Sequence, residues 1–253
     1  MHTIVLATQK GGSGKSTLAI GLALAAIQAG HTVRLIETDS QGTLSNWQGR
    51  RAYAEPIVEP VYVASEIEAR LQAFRRSGVT LTIIDTAGGV SAAAATAIHC
   101  ADLCLIPARP NIADIEATAS TLRIVRASDK PFAFVLNQTP IRGQRINNAA
   151  TALGDEAAVD MSGVLAQPFI VMRNDHQDAL SAGLAVSEFA PHSKSADEVR
   201  GLWQWVEAKL TAAELNAQPI ADEQPDIGEL AASPDILSAM FLPTAAEQAA
   251  LTS

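Results

Sequence analysis

The chain has 253 residues, of which 48% are hydrophobic and 18% charged, a composition that excludes a disordered or fibrous protein. It contains no apolar run of about 18 residues, so we expect no membrane-spanning helix. The formal net charge of −9 would disfavour nucleic acid as a partner if it were spread evenly over the surface.

The charge is not spread evenly. Residues 211–253 contain seven acidic residues and no Lys or Arg, which leaves 18 basic and 20 acidic side chains, a formal charge of −2, in the first 210 residues. A nearly neutral body has room for a local basic patch, so DNA is not excluded. We predict a folded domain over residues 1–210 and an acidic, Pro/Ala-rich tail over residues 211–253.

Short β-rich runs alternate with helical runs along the first 210 residues. Strands are predicted over residues 3–7, 32–36, 80–84, 103–107, 132–137 and 164–169. Helices are predicted over residues 16–29, 65–76, 91–101, 112–127, 144–153, 175–182 and 195–210. Ser65 with Glu68 three residues later has the spacing of a capping box at a helix start. Repeated β-α units predict an α/β fold, a doubly wound and mostly parallel sheet with helices on both faces.

A glycine-rich loop, KGGSGKST over residues 10–17, joins the first strand to the first helix. Glycines let backbone N–H groups turn toward a phosphate, and the helix N-terminus adds partial positive charge. Lys15 is placed to reach the β- and γ-phosphates, and the Ser16 hydroxyl to bind Mg²⁺. The predicted nucleotide-binding residues of this loop are Gly11, Gly12, Ser13, Gly14, Lys15, Ser16 and Thr17.

This loop departs from the common pattern G-x-x-x-x-G-K-[ST], because Gln9 replaces the first glycine and Lys10 precedes the glycine pair. The form K-G-G-x-G-K-[ST] resembles the deviant Walker A motif of the ParA/MinD/nitrogenase-iron-protein group. The resemblance implies a P-loop fold, ATP and Mg²⁺ as ligands, and a homodimer that forms around ATP. It also implies that Lys10 crosses to the phosphates bound by the other subunit, where a second cation would favour phosphoryl transfer.

Two acidic residues follow strands, where a phosphate site needs them. Asp39 lies in ETDSQ, which is similar to the D-x-D-P-Q switch region of that family, with Glu37 for the first acid and Ser40 for the proline. The resemblance assigns Asp39 to orienting the attacking water and approaching Mg²⁺ through solvent. Asp85 ends an apolar strand and resembles a Walker B carboxylate that meets Mg²⁺ through water, while Gly88 would give its N–H to the γ-phosphate and so sense it. Taken alone, either aspartate could merely cap a strand end.

The resemblance covers residues 1–210 and is closest to small plasmid-type ParA proteins. It assigns Asn137 to adenine, whose donor and acceptor edges suit an amide; a local turn cap is the alternative. Because the loop begins at Lys10, we expect no helix-turn-helix domain upstream. We also expect no signal peptide, since no basic stretch precedes an apolar one, and therefore a cytoplasmic protein. The resemblance implies that it associates with the nucleoid when ATP is bound.

In this family the ATP-bound dimer binds DNA without sequence preference, and a ParB-like or adaptor protein stimulates slow hydrolysis. Non-specific DNA binding requires clustered Lys and Arg side chains. Considered singly, each basic residue proposed for DNA contact is equally well explained as an ordinary solvated surface charge. The candidates are Arg142, Arg145, Arg173, Lys194 and Arg200.

Several alternatives share the loop. A cluster-holding redox ATPase would need two well-separated cysteines, whereas Cys100 and Cys104 lie four residues apart. A MinD-like membrane ATPase would need a basic amphipathic C-terminal helix, and the tail is acidic, so we expect no stable membrane association. Two alternatives remain. One is a kinase or ligase for a small molecule, and the other is a scaffold that binds ATP without hydrolysing it.

The tail itself admits two interpretations. Its composition is typical of a solvated, disordered segment. Alternatively, a short helix over residues 234–241 docks on a partner through Ile236, Leu237, Met240 and Phe241.

Overall fold

The computed structural model describes residues 1–89, 91–158 and 163–217. Within these residues, the strands are β1 (His2–Leu6), β2 (Val33–Glu37), β3 (Ile57–Pro60), β4 (Leu81–Asp85), β5 (Leu103–Ala108) and β6 (Phe132–Leu136). They form one sheet in the order β3-β2-β4-β1-β5-β6, and every pair of neighbours is parallel.

Helices connect the strands and follow the last one. They are α1 (Lys15–Gln28), α2 (Thr43–Arg50), α3 (Ala64–Arg76), α4 (Ala92–His99), α5 (Ile112–Glu116), α6 (Thr118–Ala127), α7 (Gln144–Ala157), α8 (Asp175–Ser181), α9 (Val186–Phe189) and α10 (Lys194–Ala217). No helix in the described ranges has the combination of length and apolar character that crossing a bilayer requires.

The sheet is covered on both faces. Alternate strand residues such as Ile4 and Leu6 pack with α1, α2 and α8 to α10. The residues between them, such as Val5, pack with α3 to α7 on the opposite face. Burial on both faces explains why the strands are continuous apolar runs and do not alternate with polar residues. The predicted doubly wound α/β class is confirmed.

The carboxyl ends of the central strands lie side by side. Asp85 at the end of β4 is level with Leu6 of β1 on one side and with Glu37 of β2 on the other. The chain leaves β1 toward one half of the sheet and returns from β4 to β5 in the other half. Such a reversal opens a crevice beyond the strand ends, and ligands of open α/β sheets bind there.

The structure differs from the prediction at several elements, and the short helices α2 and α9 were not predicted. The edge strand β3 was not predicted; it has four residues and ends at a proline. The helix predicted over residues 112–127 is divided at Ala117 into α5 and α6. The strand predicted over residues 164–169 contributes only an isolated bridge between Leu165 and Phe134.

Helix boundaries also differ, and α7 ends at Ala157, four residues past its predicted end. The predicted capping box is wrong, because α3 begins at Ala64 after Val63 and places Ser65 inside the first turn. The final helix α10 continues past residue 210 to Ala217. The predicted tail helix over residues 234–241 and its docking side chains lie outside the described residues.

Helix α2 is fastened to the segment that joins α8 to α9. The Trp47 indole donates to the Leu184 carbonyl at 3.1 Å. Arg51 forms two hydrogen bonds of 2.7 Å to the Glu188 carboxylate, and its guanidinium lies 4.9 Å from the Trp47 ring centroid. Its side chain is only 2% exposed, so the bidentate pair is largely removed from water and fixes this junction.

We expect Gly183→Ala to destabilise the protein by about 3 kcal/mol or more. Gly183 has a φ of +69°, and a Cβ there would lie 2.6 Å from the carbonyl carbon and oxygen of Arg50. The clash involves backbone atoms, which cannot rotate away. Gly30→Ala is the matched control, because Gly30 also has a positive φ (+98°) but no atom within 4 Å of its Cβ position. Urea unfolding should show a loss near 1 kcal/mol for the control; equal losses would contradict the clash.

Candidate nucleotide site

Two glycines of the loop between β1 and α1 adopt left-handed backbone conformations. Gly12 and Gly14 have φ values of +76° and +88°, which L-residues with side chains rarely adopt. A Cβ on Gly14 would lie 2.2 Å from the Asn137 amide nitrogen. Gly14 is therefore required both by backbone conformation and by close packing, and Gly12 by backbone conformation alone.

Two amide side chains after β6 bind this loop from the side. The Asn137 amide donates to the Ser13 carbonyl at 2.8 Å, and the Gln138 amide donates to the Gly12 carbonyl at 3.0 Å. Two loop carbonyls thus accept hydrogen bonds from side chains that follow β6. The assignment of Asn137 to adenine stays a prediction, and its amide already holds the loop. Gln138 was not identified from the sequence, because only the fold brings it to Gly12.

The two loop lysines lie in different environments. Lys15 is only 7% exposed, and its ammonium lies 3.5 Å from the Lys10 carbonyl. Burial lowers the pKa of Lys15, while the negative charges of Asp85 and Asp39 raise it. Lys10 is exposed. One cation therefore belongs to the interior of the site, and the other is accessible from outside the chain.

Asp85 is a buried carboxylate that lacks hydrogen-bond partners among the described residues. Burial raises the pKa of Asp85 from 3.8 to about 7, and the nearby Ser16 hydroxyl and Lys15 ammonium partly offset that increase. Two unpaired carboxylate oxygens beside a hydroxyl are a donor set that suits Mg²⁺. Ser16 and Asp85 therefore fit the ion that the resemblance implies, as inner or water-mediated ligands.

Protein side chains alone would not complete such a site. In the described part of the chain, no group of three or more His, Cys, Asp or Glu residues is placed to hold a metal. Mg²⁺ is commonly bound by one or two protein groups together with waters and substrate phosphates. The donor set therefore suits an ion that arrives with a nucleotide.

We expect Asp85→Asn to stabilise the nucleotide-free protein at pH 8 by about 1–2 kcal/mol. The folded-state pKa of Asp85 is about 7, above the ordinary 3.8. Between these two pKa values the folded state holds a proton that the unfolded chain has lost. The contribution of this proton to the free energy of unfolding falls as the pH rises and disappears toward about pH 7. Thermal unfolding without Mg²⁺ should show a variant advantage at pH 8 that shrinks toward pH 4. Glu116→Gln, at an exposed position of α5, is the control; an equal gain there would remove the explanation.

Glu37 and Asp39 have separate structural roles. The fully buried Glu37 carboxylate accepts hydrogen bonds from the backbone N–H of Leu44, at 2.6 Å, and of Ser45, at 3.2 Å. It therefore caps the start of α2 from the end of β2. The Asp39 carboxylate accepts from the Gln41 N–H at 2.9 Å and remains partly exposed at the mouth of the crevice.

Gly88 lies against the phosphate loop. A Cβ at this position would be 3.4 Å from the Gly11 nitrogen and 3.6 Å from the Gln9 carbonyl oxygen. A Cβ there would make ordinary van der Waals contacts, so the backbone after β4 lies beside the loop without needing a glycine for space. This placement agrees with a role in sensing a phosphate, which stays a prediction.

A cleft beside the loop is lined by Gly14, Thr17, Asn137, Arg173 and His176, among others. Burial lowers the pKa of His176, so its imidazole is neutral at pH 7. The cleft continues from the phosphate loop and has the mixed polar and apolar lining of a site for a base or sugar.

The five predicted DNA-contact residues do not share one environment. Arg173 forms hydrogen bonds of 2.7 and 2.8 Å to Glu198 and faces the cleft, so its guanidinium is already committed within the chain. Arg200 is paired with Asp197 at 2.6 Å. The exposed members of the set are Arg142, Arg145 and Lys194.

The cysteines offer no cluster site. Cys104 is completely buried in β5, and burial raises its pKa to about 12. Cys100 follows α4 and is half-buried. A buried thiol within a strand cannot reach a neighbouring subunit, which argues against the redox alternative. Trp203 is buried in the core, and the partly buried Trp205 packs against that core.

The fold and the loop together define a P-loop ATPase of the ParA/MinD type. The features that define it are a parallel sheet, a phosphate loop preceded by a lysine, an aspartate after β2 and a carboxylate at the end of β4. Within this class the chain belongs to the VirC1 family. The profile of that family, described as "VirC1 protein", matches residues 1–155, which is more than half of the chain.

Known relatives agree with this assignment. "Protein ParA" of Rhizobium radiobacter is 29% identical over 134 residues, which cover 51% of this chain and 59% of that protein. The chain thus spans little more than half the length of that relative. "Chromosome-partitioning ATPase Soj" of Thermus thermophilus is 26% identical over 248 residues, with 84% of this chain and 98% of that protein covered.

Solved structures share the fold. The septum site-determining protein MinD of Pyrococcus horikoshii, solved with Mg-ADP, superposes with a TM-score of 0.66 at 16% identity. The match covers 86% of this chain and 99% of that one. At this identity the similarity establishes the fold alone.

Proposed function

We propose that this chain is a partition ATPase that binds Mg·ATP, dimerises around it and, as a dimer, binds DNA without sequence preference. Hydrolysis would end the DNA-bound state, and a ParB-like or adaptor partner would accelerate it. The observation that carries the proposal is the contrast between the two loop lysines. Lys15 is buried within its own site, whereas Lys10 is exposed and accessible to a second subunit.

The residues of the site divide the work of phosphoryl transfer. Lys15 and the loop N–H groups bind the phosphates, and Ser16 and Asp85 would hold Mg²⁺. Bound Mg²⁺ would neutralise charge on the phosphates as the bond to the leaving group breaks. Asp39, at the open mouth of the crevice, orients the attacking water, and Lys10 of the second subunit neutralises charge that develops in the transition state.

DNA binding would use the exposed basic residues Arg142, Arg145 and Lys194. Arg142 and Arg145 flank the start of α7, and Lys194 begins α10. Phosphate contacts of this kind are electrostatic, so the affinity should fall steeply as salt concentration rises.

The proposal is tested by measuring binding to a non-specific DNA duplex at moderate salt with ATP, ADP or no nucleotide, together with the dimer fraction. We expect DNA binding only with ATP and in proportion to the dimer. An Arg142→Ala/Arg145→Ala variant should keep the ATP-dependent dimer and lose DNA affinity, while Lys10→Ala should lose dimerisation or hydrolysis. An ATP-dependent dimer without DNA affinity would retain the ATPase and reject the DNA function.

A further inference from the structure

An arginine that belongs to neither loop motif lies beside the phosphate loop. Arg109 directly follows β5, the neighbour of β1 in the sheet. It therefore lies at the carboxyl ends of the parallel strands, as the loop does. Its Nη1 atom lies 4.0 Å from the position that a Cβ would occupy on Gly12. No signal in the sequence identifies this residue, because the approach depends on the strand order.

Asp114 holds the Arg109 side chain in one orientation. The carboxylate accepts from Arg109 Nε at 2.7 Å, from Nη2 at 2.9 Å and from the backbone nitrogen at 3.2 Å. Asp114 is 1% exposed, and its own N–H donates to the Asn111 side chain, which caps α5. The guanidinium is thus clamped along one edge by a carboxylate that cannot itself move freely.

The clamp leaves one terminal nitrogen for another partner. Nη1 forms no hydrogen bond to any other described residue, and it is the guanidinium nitrogen nearest Gly12. Burying a carboxylate with an arginine costs desolvation energy, and an apolar pair would hold a short helix equally well. An oriented N–H donor next to a phosphate loop has a use that this structural alternative lacks, because guanidinium groups suit phosphate oxygens.

We infer that Arg109 donates a hydrogen bond from Nη1 to a phosphate oxygen of the nucleoside triphosphate bound by the loop of the same chain. The inference rests on the proposed function, which supplies the nucleotide. Asp114 offsets much of the net charge of Arg109, so the contribution comes from an oriented hydrogen bond and not from long-range attraction. Asp114 is accordingly a positioning residue.

The test is the affinity for a fluorescent ATP analogue and Mg²⁺, measured at protein concentrations where the chain is monomeric. Arg109→Gln should weaken binding about 10- to 100-fold, the range for a hydrogen bond to a charged group. It should weaken competition by inorganic triphosphate by a similar factor, because that probe lacks the base and sugar. Arg75→Gln, at an exposed position in the last turn of α3, is the matched control and should change neither value.

The outcomes separate the inference from the function. If the wild-type chain fails to bind the analogue, the proposed function is rejected. Wild-type binding with unchanged affinity in Arg109→Gln overturns the role of Arg109 alone. A loss confined to the dimer fraction, with normal monomer binding, overturns contact within the same chain. If Arg109→Gln lowers the unfolding midpoint severely, the affinity of Arg109→Lys for the analogue is the deciding measurement. We expect it to be at least about fivefold weaker than that of the wild type, because lysine cannot keep both the hydrogen bonds to Asp114 and the phosphate contact.

Discussion

Lys15→Ala should lower the affinity for ATP by about 100-fold or more and remove ATP-dependent dimerisation. The Lys15 ammonium is held inside the site by burial and by the nearby carboxylates of Asp85 and Asp39. A bound triphosphate would exchange that environment for charge-assisted hydrogen bonds, each worth about 1.5–3 kcal/mol. Without the lysine, the phosphates would face two carboxylates with no interior cation between them.

Calorimetric titration with Mg·ATP measures this affinity directly. Lys130→Ala is a suitable control, since Lys130 lies before the amino end of β6, whereas the loop follows the carboxyl end of β1. Binding of the Lys15 variant at near wild-type affinity would mean that the loop does not use Lys15 on phosphates, and the site assignment would fail with it.

Asp39→Ala should bind ATP within about threefold of the wild-type affinity and hydrolyse it at least about 100-fold more slowly, the range for losing a group that positions or activates a nucleophile. Asp39 is partly exposed, so truncating it leaves no buried vacancy. The expected result is a chain that persists in its ATP-bound dimer. Phosphate release under single-turnover conditions, alongside the dimer fraction, measures both quantities.

Asp39→Asn separates the charge from the turn. Its amide oxygen can still accept from the Gln41 N–H, the hydrogen bond that the aspartate makes at 2.9 Å. If charge orients the water, Asn should be nearly as slow as Ala. Hydrolysis restored by Asn would assign Asp39 a purely conformational role in the loop.

The strands predicted correctly are those encoded within a few consecutive residues. The apolar runs of β1, β2 and β4 to β6 identify buried parallel strands. The loop over residues 10–17 predicts a phosphate site by its own spacing, and that assignment stays a prediction. Strand β3 escaped prediction because its burial is incomplete, with Ile57 exposed at the edge of the sheet. A short edge strand gains its conformation from its neighbour and has a weak pattern of its own.

The contacts that escaped prediction join distant parts of the chain. Gln138 binds a carbonyl 126 residues away in sequence, and Arg109 reaches Gly12 only because β5 lies next to β1. At the start of α5, Asp114 turns inward to Arg109. Helical periodicity does not register such a pairing.

Glu37 has a geometric consequence for the residues between β2 and α2. Its carboxylate grips the N–H groups of Leu44 and Ser45, so the backbone over residues 38–43 is closed into a ring through a side chain. A ring has a fixed perimeter, and each residue spans at most about 3.6 Å. Asp39 can thus change position only by changing the shape of this ring, a displacement of a few ångströms. A larger movement of Asp39 between nucleotide states would require Glu37 to break its hydrogen bonds to the start of α2 first.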